Sequence, residues 1–490
     1  MKKYMLSALI VILFLAFMAC DPGGANGEDQ SNPNPKPVLN SISPTSVLSH
    51  TAAFTLTCSG SSYIQGAVIV FADKEMTANY VGSDELTCTI NPDDTVIAGT
   101  RYLANPASDI VTVYVKNPPG YASQAASSLE SEKLDFTIRT NHTFTDPKKL
   151  NLPAISHSCA DIAINSEGNL FVVSSGNSGL YLIRSTDKGT HWSNRVKISN
   201  GGYHTSLLAF DSEDNINLLL NHGSRSLYFT RSIDSGDTWS DPIKIRESED
   251  NDSIFGAYIA AGKKRNLVIV WFEGVSGDPG TEECYLSRSS DYGVTWKMTR
   301  KFLDSEDINI CSDSEGNFNV VWMSSGTGMV DFIRSTDNGK GWTNRKSITS
   351  GHYPAIVSDS SGNINVLAGG GGLIFVRSTD NGKNWTETIR LPCSALTEYV
   401  TLSVDQIGNL NTVYSGYEEH FEPSEQDGIY YNRSVDNGAT WTESLLLTSI
   451  PDRYHGIRSV CDKAGTIFVI WIEWKRATNE FTLYFTCSTD

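Results

Sequence analysis

The chain has 490 residues, which is enough for two or three domains with buried cores. Its 40 glycines and 10% aromatic residues, together with only 19% charged residues, favour a turn-rich β protein over a helical or disordered one. The formal net charge of -18 repels phosphate backbones, so no nucleic-acid partner is expected.

The N-terminal residues predict export. Two lysines precede an apolar run over residues 5–18, which is too short for a stable membrane span. Ala19 and Cys20 then resemble the end of a bacterial lipoprotein signal, which implies that Cys20 carries the lipid and becomes the mature N-terminus. We therefore expect residues 1–20 to be a signal peptide of a membrane-anchored lipoprotein, in the periplasm or at the cell surface. An uncleaved anchor and a plain signal peptide are the alternatives.

Two segments of different character follow the signal. Residues 21–37 contain Gly, Pro, Asn and acids with almost nothing apolar, which predicts a disordered tether. Short alternating strands split by turn residues then predict an all-β sandwich over residues 38–139. The stretches ISPTS, LTCSGSSY, ELTCTI and VYVKNPPGYAS resemble an IPT/TIG module, which implies an immunoglobulin-like fold and a spacer or binding surface. Cys58 and Cys88, in two strand-like runs of this segment, are the natural candidates for a disulfide.

A short string of the form SxDxGxxW recurs through the rest of the chain, and we call each copy a box. Each box follows a second repeated string such as DSEGN, and every unit offers four strand-like runs. A seventh copy stops at Ser488 to Asp490. The complete boxes are Ser185 to Trp192, Ser232 to Trp239, Ser289 to Trp296, Ser335 to Trp342, Ser378 to Trp385 and Ser434 to Trp441.

The boxes resemble the Asp-box, or BNR repeat, of sialidase-type propellers. The resemblance spans residues 141–490 and implies an all-β fold, a seven-bladed β-propeller of four-stranded units. TFTDPKKL, Thr143 to Leu150, matches TWSDPIKI, Thr238 to Ile245, which follows a complete box. We therefore expect an N-terminal strand to complete the last blade, because an incomplete blade would leave the ring open at an exposed edge.

The boxes are expected to serve structure. Six identical turns cannot all be catalytic, and each aspartate can accept hydrogen bonds from backbone N–H groups of its turn. The box glycine supplies a left-handed turn residue, the tryptophan packs where blades meet, and the preceding arginine is expected at the surface. The structural aspartates are Asp187, Asp234, Asp291, Asp337, Asp380 and Asp436.

The boxes are expected to share one rim of the ring. The opposite rim is expected to carry function, because its connections vary from unit to unit. They hold aromatic rings that suit sugar faces, with His, Arg and Glu for hydroxyl groups. Shared packing inherited by the repeats is the alternative. Asp307 and Arg458 lie in the same connections. The candidate ligand-binding residues are His157, Tyr203, His204, His222, Arg225, Glu273, His352, Tyr353, Glu398, Tyr399, Tyr417, His420, Arg453, Tyr454, His455 and Glu473.

The varied rim does not contain a sialidase catalytic set. The segment LNLPAISHSC lacks the arginine that sialidases carry before the first blade, so hydrolysis of sialic acid is not expected. No CxxC pair or ligand spacing predicts a metal or cofactor. We expect a monomeric, membrane-tethered protein that binds glycans or cell-surface polymers and contacts the membrane through its lipid alone. A polysaccharide-degrading glycoside hydrolase or lyase, with Glu273 and Glu473 as two carboxylates, and a protein-interaction scaffold are the alternatives; no catalytic residue is assigned.

Overall fold

The chain is all-β wherever its structure is described. The computed structural model describes residues 34–48, 53–91, 94, 108–118, 129–139, 142–154, 160–200, 203–248, 252–275, 283–303, 306–393, 396–417, 427–449, 455–475 and 478–489. These residues contain no α-helix, and hence no helix long and apolar enough to cross a membrane. The predicted signal with Cys20, and the tether as far as residue 33, lie outside the described residues.

Two sheets form the N-terminal part, in the orders β1-β3-β7-β6 and β2-β9-β8-β4-β5. Apolar residues of both sheets, including Leu56, Leu86, Phe71 and Phe136, share one buried core. The two sheets therefore pack face to face. Their strands are β1 (Val38–Ser43), β2 (Ser46–Leu48), β3 (Phe54–Ser61), β4 (Val68–Phe71), β5 (Lys74–Thr77), β6 (Asn79–Tyr80), β7 (Glu85–Ile90), β8 (Ser108–Lys116) and β9 (Leu134–Arg139).

The predicted disulfide between Cys58 and Cys88 is wrong, because both thiols are free and buried. On the β3–β7 ladder Cys58 lies opposite Leu86, whereas Cys88 lies opposite Leu56, so the two cysteines are diagonal neighbours. Diagonal neighbours lie roughly 7 Å apart, beyond the roughly 4 Å between Cβ atoms that a disulfide needs. Burial raises the pKa of Cys58 to about 12 and that of Cys88 to about 11, as fits inert core thiols.

Seven four-stranded antiparallel sheets follow, and we number them in the order of their innermost strands. The first sheet contains β11 (Ala160–Ile164), β12 (Leu170–Gly176), β13 (Gly179–Ser185) and β14 (Val196–Ser199), and the second contains β15 (Tyr203–Phe210), β16 (Ile216–His222), β17 (Ser226–Ser232) and β18 (Ile243–Glu247). The third contains β19 (Asp252–Ala261), β20 (Leu267–Val275), β21 (Glu283–Ser289) and β22 (Lys297–Leu303), and the fourth contains β23 (Glu306–Ser312), β24 (Phe318–Ser324), β25 (Met329–Ser335) and β26 (Lys346–Ser350). The fifth contains β27 (His352–Ser358), β28 (Ile364–Gly369), β29 (Ile374–Ser378) and β30 (Ile389–Arg390), and the sixth contains β31 (Leu396–Val404), β32 (Leu410–Tyr417), β33 (Gly428–Ser434) and β34 (Leu445–Ser449).

The seventh sheet is built from both ends of the described chain. It contains β35 (His455–Cys461), β36 (Ile467–Lys475), β37 (Glu480–Cys487) and, from far earlier in the sequence, β10 (Lys148–Lys149). The first strand of each sheet contacts the first strand of the next, and β35 contacts β11. The seven sheets therefore form a closed ring whose innermost strands are β11, β15, β19, β23, β27, β31 and β35.

The closing segment, residues 142–150, holds the seventh sheet by more than β10. The N–H of Thr145 donates to the carbonyl of Cys487 at 2.9 Å, and the N–H of Leu150 donates to that of Leu483 at 2.9 Å. The ring of Phe144 lies 5.2 Å from that of Tyr431 in the sixth sheet. The sequence match with a completed unit predicted this pairing.

Each box forms a turn between the third and fourth strands of its sheet. In the fourth sheet, Asp337 Oδ1 accepts the N–H of Gly341 at 2.8 Å and the hydroxyl of Ser335 at 2.9 Å. In the first sheet, the backbone N–H and then the ring of His191 hold the pKa of Asp187 down at about 2. A carboxyl that is ionised at every ordinary pH and bonded within its own turn is a structural group rather than an acid catalyst.

The box also joins neighbouring sheets. Gly382 has φ 83°, and a Cβ there would lie 2.2 Å from Phe332 of the preceding sheet. The ring of Trp385 meets the same Phe332 edge to face at 5.1 Å. The pairs Trp192 with Phe485, Trp296 with Phe229 and Trp441 with Phe375 repeat this contact. Glycine and tryptophan are therefore required by the packing of one sheet on the next.

The prediction that the arginine before each box lies at the surface is wrong in several sheets. Arg334 is only 5% exposed and donates to Asp313 at 2.6 Å and to Asn319 at 2.7 Å. Arg377 repeats the arrangement with Asp359 at 2.8 Å. In these sheets the turn between the first two strands begins with aspartate, and its carboxylate offers the arginine a buried partner.

Candidate functional site

Six of the seven innermost strands carry a β-bulge close to their first residues. The residues with left-handed backbone in these bulges are Gly256 (φ 33°), Asp307 (φ 49°), Tyr353 (φ 51°), Tyr399 (φ 47°) and Gly456 (φ 74°). A left-handed conformation costs a residue other than glycine about 1–3 kcal/mol, and bulges commonly re-aim side chains next to active sites. Three consecutive sheets thus hold Asp307, Tyr353 and Tyr399 in strained backbone near the ring centre.

These bulges bring aromatic rings and carboxylates together. The rings of Tyr353 and Tyr399 stack, with centroids 6.2 Å apart and an interplanar angle of 20°, and Tyr353 is 37% exposed. Asp307 accepts the N–H of Tyr353 at 3.2 Å. Tyr417 donates its hydroxyl to Glu398 Oε1 at 2.9 Å. Together with His352, whose ring lies 6.2 Å from that of Tyr353, they form one half of a site.

The other half comes from three innermost strands at one shared register. Asp161 lies opposite Val173, Tyr258 opposite Val270 and Arg458 opposite Ile470, the matching position in each second strand. Asp161 Oδ2 accepts the N–H of Leu208 at 2.7 Å, and its Oδ1 lies 3.6 Å from Arg458 Nε. The two contacts of the Asp161 carboxylate therefore link the first, second and seventh sheets. We call the whole group the central cluster: Asp161, Tyr258, Asp307, His352, Tyr353, Glu398, Tyr399, Tyr417 and Arg458.

Charges from one half of the cluster also act on tyrosines of the other half. Burial raises the pKa of Tyr258. The charge of Arg458 lowers this pKa, and the charges of Asp307 and Asp161 raise it further, from three other sheets in all. Burial likewise raises the pKa of Tyr399. The charges of Glu398 and Asp307 also raise it, whereas that of Arg458 lowers it. The strands that carry these residues adjoin one another around the inside of the ring, so the two halves belong to one electrostatic environment.

The carboxyl groups of the cluster differ in environment. Burial raises the pKa of Asp161 to about 6, although Arg458 and the N–H of Leu208 oppose the shift. Burial also raises the pKa of Asp307, against the N–H of Tyr353 and the nearby His352. Burial, followed by the charges of Asp307 and Glu398, raises the pKa of Tyr353 to about 12. The cluster therefore offers one carboxyl group, that of Asp161, that can carry a proton near neutral pH beside neutral tyrosines.

Five of the sequence-predicted residues lie in the central cluster: His352, Tyr353, Glu398, Tyr399 and Tyr417. Tyr203 and His222 are also brought together, 5.1 Å apart, but in a separate aromatic group with Tyr228 in the second sheet. The structure describes the backbone of His204 and His455, in β15 and β35, but not their side chains. The predicted residues outside the described part of the chain are His157, His420, Arg453 and Tyr454.

Two further predicted residues are engaged in scaffold contacts. Glu273 is 2% exposed and accepts both a bidentate pair of hydrogen bonds from Arg246, at 2.7 and 2.8 Å, and the indole N–H of Trp271 at 2.8 Å. With its oxygens occupied in the interior, Glu273 cannot serve with Glu473 as a catalytic carboxylate pair. Arg225 donates to the carbonyl of Ser248 at 3.2 Å.

Asp161 and Tyr258 are cluster residues that the sequence interpretation missed. Both lie inside strands rather than in the varied connections. Aligning the seven innermost strands on their turns places Asp161, Tyr258 and Arg458 at one position, where Leu207 and Ala355 stand in other sheets. A charged or phenolic residue at this position was the available signal. Among the described residues, no group of three or more His, Cys, Asp or Glu is placed to hold a metal ion.

Comparisons with known proteins find similarity only among solved structures. No family model matches the chain, and no curated protein matches it. A Dyadobacter fermentans protein of unknown function has a TM-score of 0.43 at 13% identity, over 70% of this chain and 99% of that one. An α-L-arabinofuranosidase from Fusarium graminearum has a TM-score of 0.42 at 14% identity, over 59% and 98%. A sialidase from Streptococcus pneumoniae has a TM-score of 0.40 at 11% identity, over 63% and 79%. Function is therefore inferred below from the side chains of this chain.

Proposed function

We propose that this protein binds a glycan through its central cluster. The observation that carries the proposal is the stacked, partly exposed pair Tyr353 and Tyr399, held on strained bulges beside the carboxylates of Asp307 and Glu398. Flat aromatic faces suit the apolar faces of sugar rings, and carboxylates accept hydrogen bonds from sugar hydroxyl groups. The bulge recurs around the ring, but three neighbouring strands hold a residue other than glycine in the left-handed conformation, and such strain is common at ligand sites.

The proposal includes an architecture and a location. We propose that the seven sheets are a β-propeller with Asp-box blades, and that the two N-terminal sheets are an immunoglobulin-like IPT/TIG module serving as a spacer. The closed ring and the repeated box turns support the first assignment. The shared core of two face-to-face sheets supports the second. A lipid on Cys20 would tether the protein to a membrane as a monomer, with the central cluster free to meet a polymer.

A polysaccharide-cleaving enzyme is the second candidate, because one contact favours it. The hydroxyl of Tyr417 donates to Glu398 at 2.9 Å, and a phenol bonded to a carboxylate is an activated nucleophile or proton donor. Asp161 and Asp307, whose pKa values burial raises, fit the role of general acid. Binding and cleavage would use the same cluster, so one set of variants tests both.

Removing either stacked ring should weaken glycan binding. A glycan screen of the full chain would identify a ligand, and Tyr353→Ala and Tyr399→Ala should each weaken its binding by about tenfold or more, since a stacked ring is lost. Asp337→Ala, in a box turn, is the control: it should lower the melting temperature and leave affinity unchanged. Unaltered affinity in both tyrosine variants would refute binding at the central cluster.

Cleavage would be visible as new chain ends. If the bound glycan is turned over, Tyr417→Phe should lower kcat by at least about a hundredfold while Kd changes little, because the ring stays and the reacting hydroxyl is gone. Tyr80→Phe, in the N-terminal sheets, is the matched control. If the ligand binds and no new chain ends appear, the result supports binding and contradicts cleavage. A fluorogenic sialoside should remain uncleaved.

The tether has its own test. Labelled fatty acid should appear on the full chain expressed in a bacterium and should be absent from Cys20→Ala, because a lipoprotein signal attaches the lipid at that thiol. Cys58→Ala removes a buried core thiol and serves as the control. Equal labelling of the wild type and Cys20→Ala would contradict the lipid anchor.

A further inference from the structure

Among the residues that the structure describes, the central cluster carries more acidic groups than ion pairs to match them. Among the described residues, the Asp307 carboxylate accepts one hydrogen bond, from the N–H of Tyr353, and the Glu398 carboxylate accepts one, from Tyr417. Neither forms an ion pair within the described part of the chain. The cluster's one arginine, Arg458, lies beside Asp161, 3.6 Å away. Within the described structure, both carboxylates thus keep free acceptor positions, and the charges of both act on Tyr353.

Such a pair of carboxylates is costly to leave without an ion pair, although His352 lies near Asp307. A partly buried carboxylate is stabilised by a cation or by several hydrogen-bond donors, and here burial raises the pKa of Asp307. The faces of Tyr353 and Tyr399 attract cations as well, through the negative charge above an aromatic ring. Carboxylates and stacked aromatic faces therefore favour the same type of ligand.

We infer that the glycan bound here carries a positive charge, as an unacetylated amino sugar does. Its ring would lie on the Tyr353 and Tyr399 platform, and its ammonium group would donate hydrogen bonds to Asp307 and Glu398. This inference rests on the proposed function and specifies its ligand class. An acidic sugar would meet two like charges, and a neutral or N-acetylated sugar would leave both carboxylates without a counter-charge.

The inference is tested by three tetrasaccharides of matched length: glucosamine, N-acetylglucosamine and galacturonate. Calorimetry of each with the full chain at low salt should show the glucosamine tetramer binding at least about tenfold more tightly than either other ligand, since charge-assisted hydrogen bonds supply the difference. Added salt should weaken that binding because it screens the charges.

Isosteric variants separate site binding from general attraction to an acidic protein. Asp307→Asn and Glu398→Gln should each weaken the glucosamine tetramer by about tenfold and narrow the preference over the N-acetylated tetramer. The control Glu167→Gln removes one exposed carboxylate at the opposite end of an innermost strand and should change nothing. The inference would be overturned if Glu167→Gln lost as much affinity for the glucosamine tetramer as the two cluster variants, or if the cluster variants lost none. Either result would show that net charge alone attracts the ligand.

The outcomes also distinguish this inference from the proposed function. Binding of the N-acetylated or galacturonate tetramer as tightly as the glucosamine tetramer, abolished by Tyr399→Ala, would refute the cationic ligand while upholding glycan binding at the cluster. Binding of none of the three would refute the cationic ligand. The proposed function would be refuted separately, by failure of the whole glycan screen or by unaltered affinity in both tyrosine variants.

Discussion

A chain that starts at residue 151 is expected to aggregate, whereas one that starts at residue 141 should fold. The shorter chain lacks the closing segment, residues 142–150, and so exposes the backbone N–H and carbonyl groups of β37 along an unpaired edge. It also loses Phe144, which packs on Tyr431, and the buried Leu150. Loss of a fully buried phenylalanine costs about 3–5 kcal/mol, so loss of the partly buried Phe144 together with the buried Leu150 removes a large part of the stability of a domain.

Thermal unfolding and size-exclusion chromatography of the two chains measure the effect. The chain from residue 141 is the control for loss of the N-terminal sheets, which both truncations share. A peptide of residues 141–150 should restore cooperative unfolding to the shorter chain by pairing with β37. Equal solubility and equal melting temperatures of the two chains would contradict closure of the ring by this segment.

The architecture of the ring could be predicted from the sequence because the information is local and repeated. A box specifies its own turn: the aspartate binds the N–H groups of that turn, and the glycine adopts the φ that the turn requires. Six near-identical copies fix the unit, and the match of residues 143–150 to a finished unit indicated the partner of the last strand. None of these inferences required knowledge of distant contacts.

The wrong predictions concern distances between strands. Whether Cys58 reaches Cys88 depends on the register of β3 and β7. A shift of two residues in this register would place the two cysteines directly opposite each other. The burial of Arg334 depends on an aspartate in a turn twenty-one residues earlier. The buried position of Glu273 depends on Arg246 of the neighbouring outer strand. The sequence shows the residue types but not these pairings.

Some residues of the candidate site could be named from the sequence, for a related reason. His352, Tyr353, Glu398 and Tyr399 were identified because they lie in connections that vary between units. Their convergence, however, depends on bulges that turn the start of each innermost strand, and no residue pattern specified those bulges. Asp161 was missed because it lies within a strand, where an apolar alternation is the default expectation.

Arg334→Ala is expected to lower the free energy of unfolding by about 3–5 kcal/mol, because it leaves a buried carboxylate without its counter-charge. The side chains of Arg334 and Asp313 are 5% and 2% exposed, and their atoms lie 2.6 Å apart. Arg184→Ala is the matched control: it removes the arginine at the same place in the first sheet, whose pair with Asp237 is 25% and 62% exposed. An exposed pair of this kind contributes about 0–1 kcal/mol.

The pH dependence of this loss identifies its cause. Burial alone would raise the pKa of Asp313, but hydrogen bonds from Asn317 and the charge of Arg334 lower it below its usual value. A carboxyl whose folded-state pKa is lowered stabilises the fold above its unfolded pKa, near 4, and this contribution disappears as the pH falls through the folded value. The difference between wild type and Arg334→Ala should therefore be largest at neutral pH and shrink in acid, as measured by urea denaturation. A loss independent of pH would assign the effect to the missing side-chain packing, and a loss no greater than that of Arg184→Ala would show that the buried pair does not stabilise the ring. In either case glycan affinity should be unchanged, because Arg334 lies beside its box, at the end of the strands opposite the central cluster.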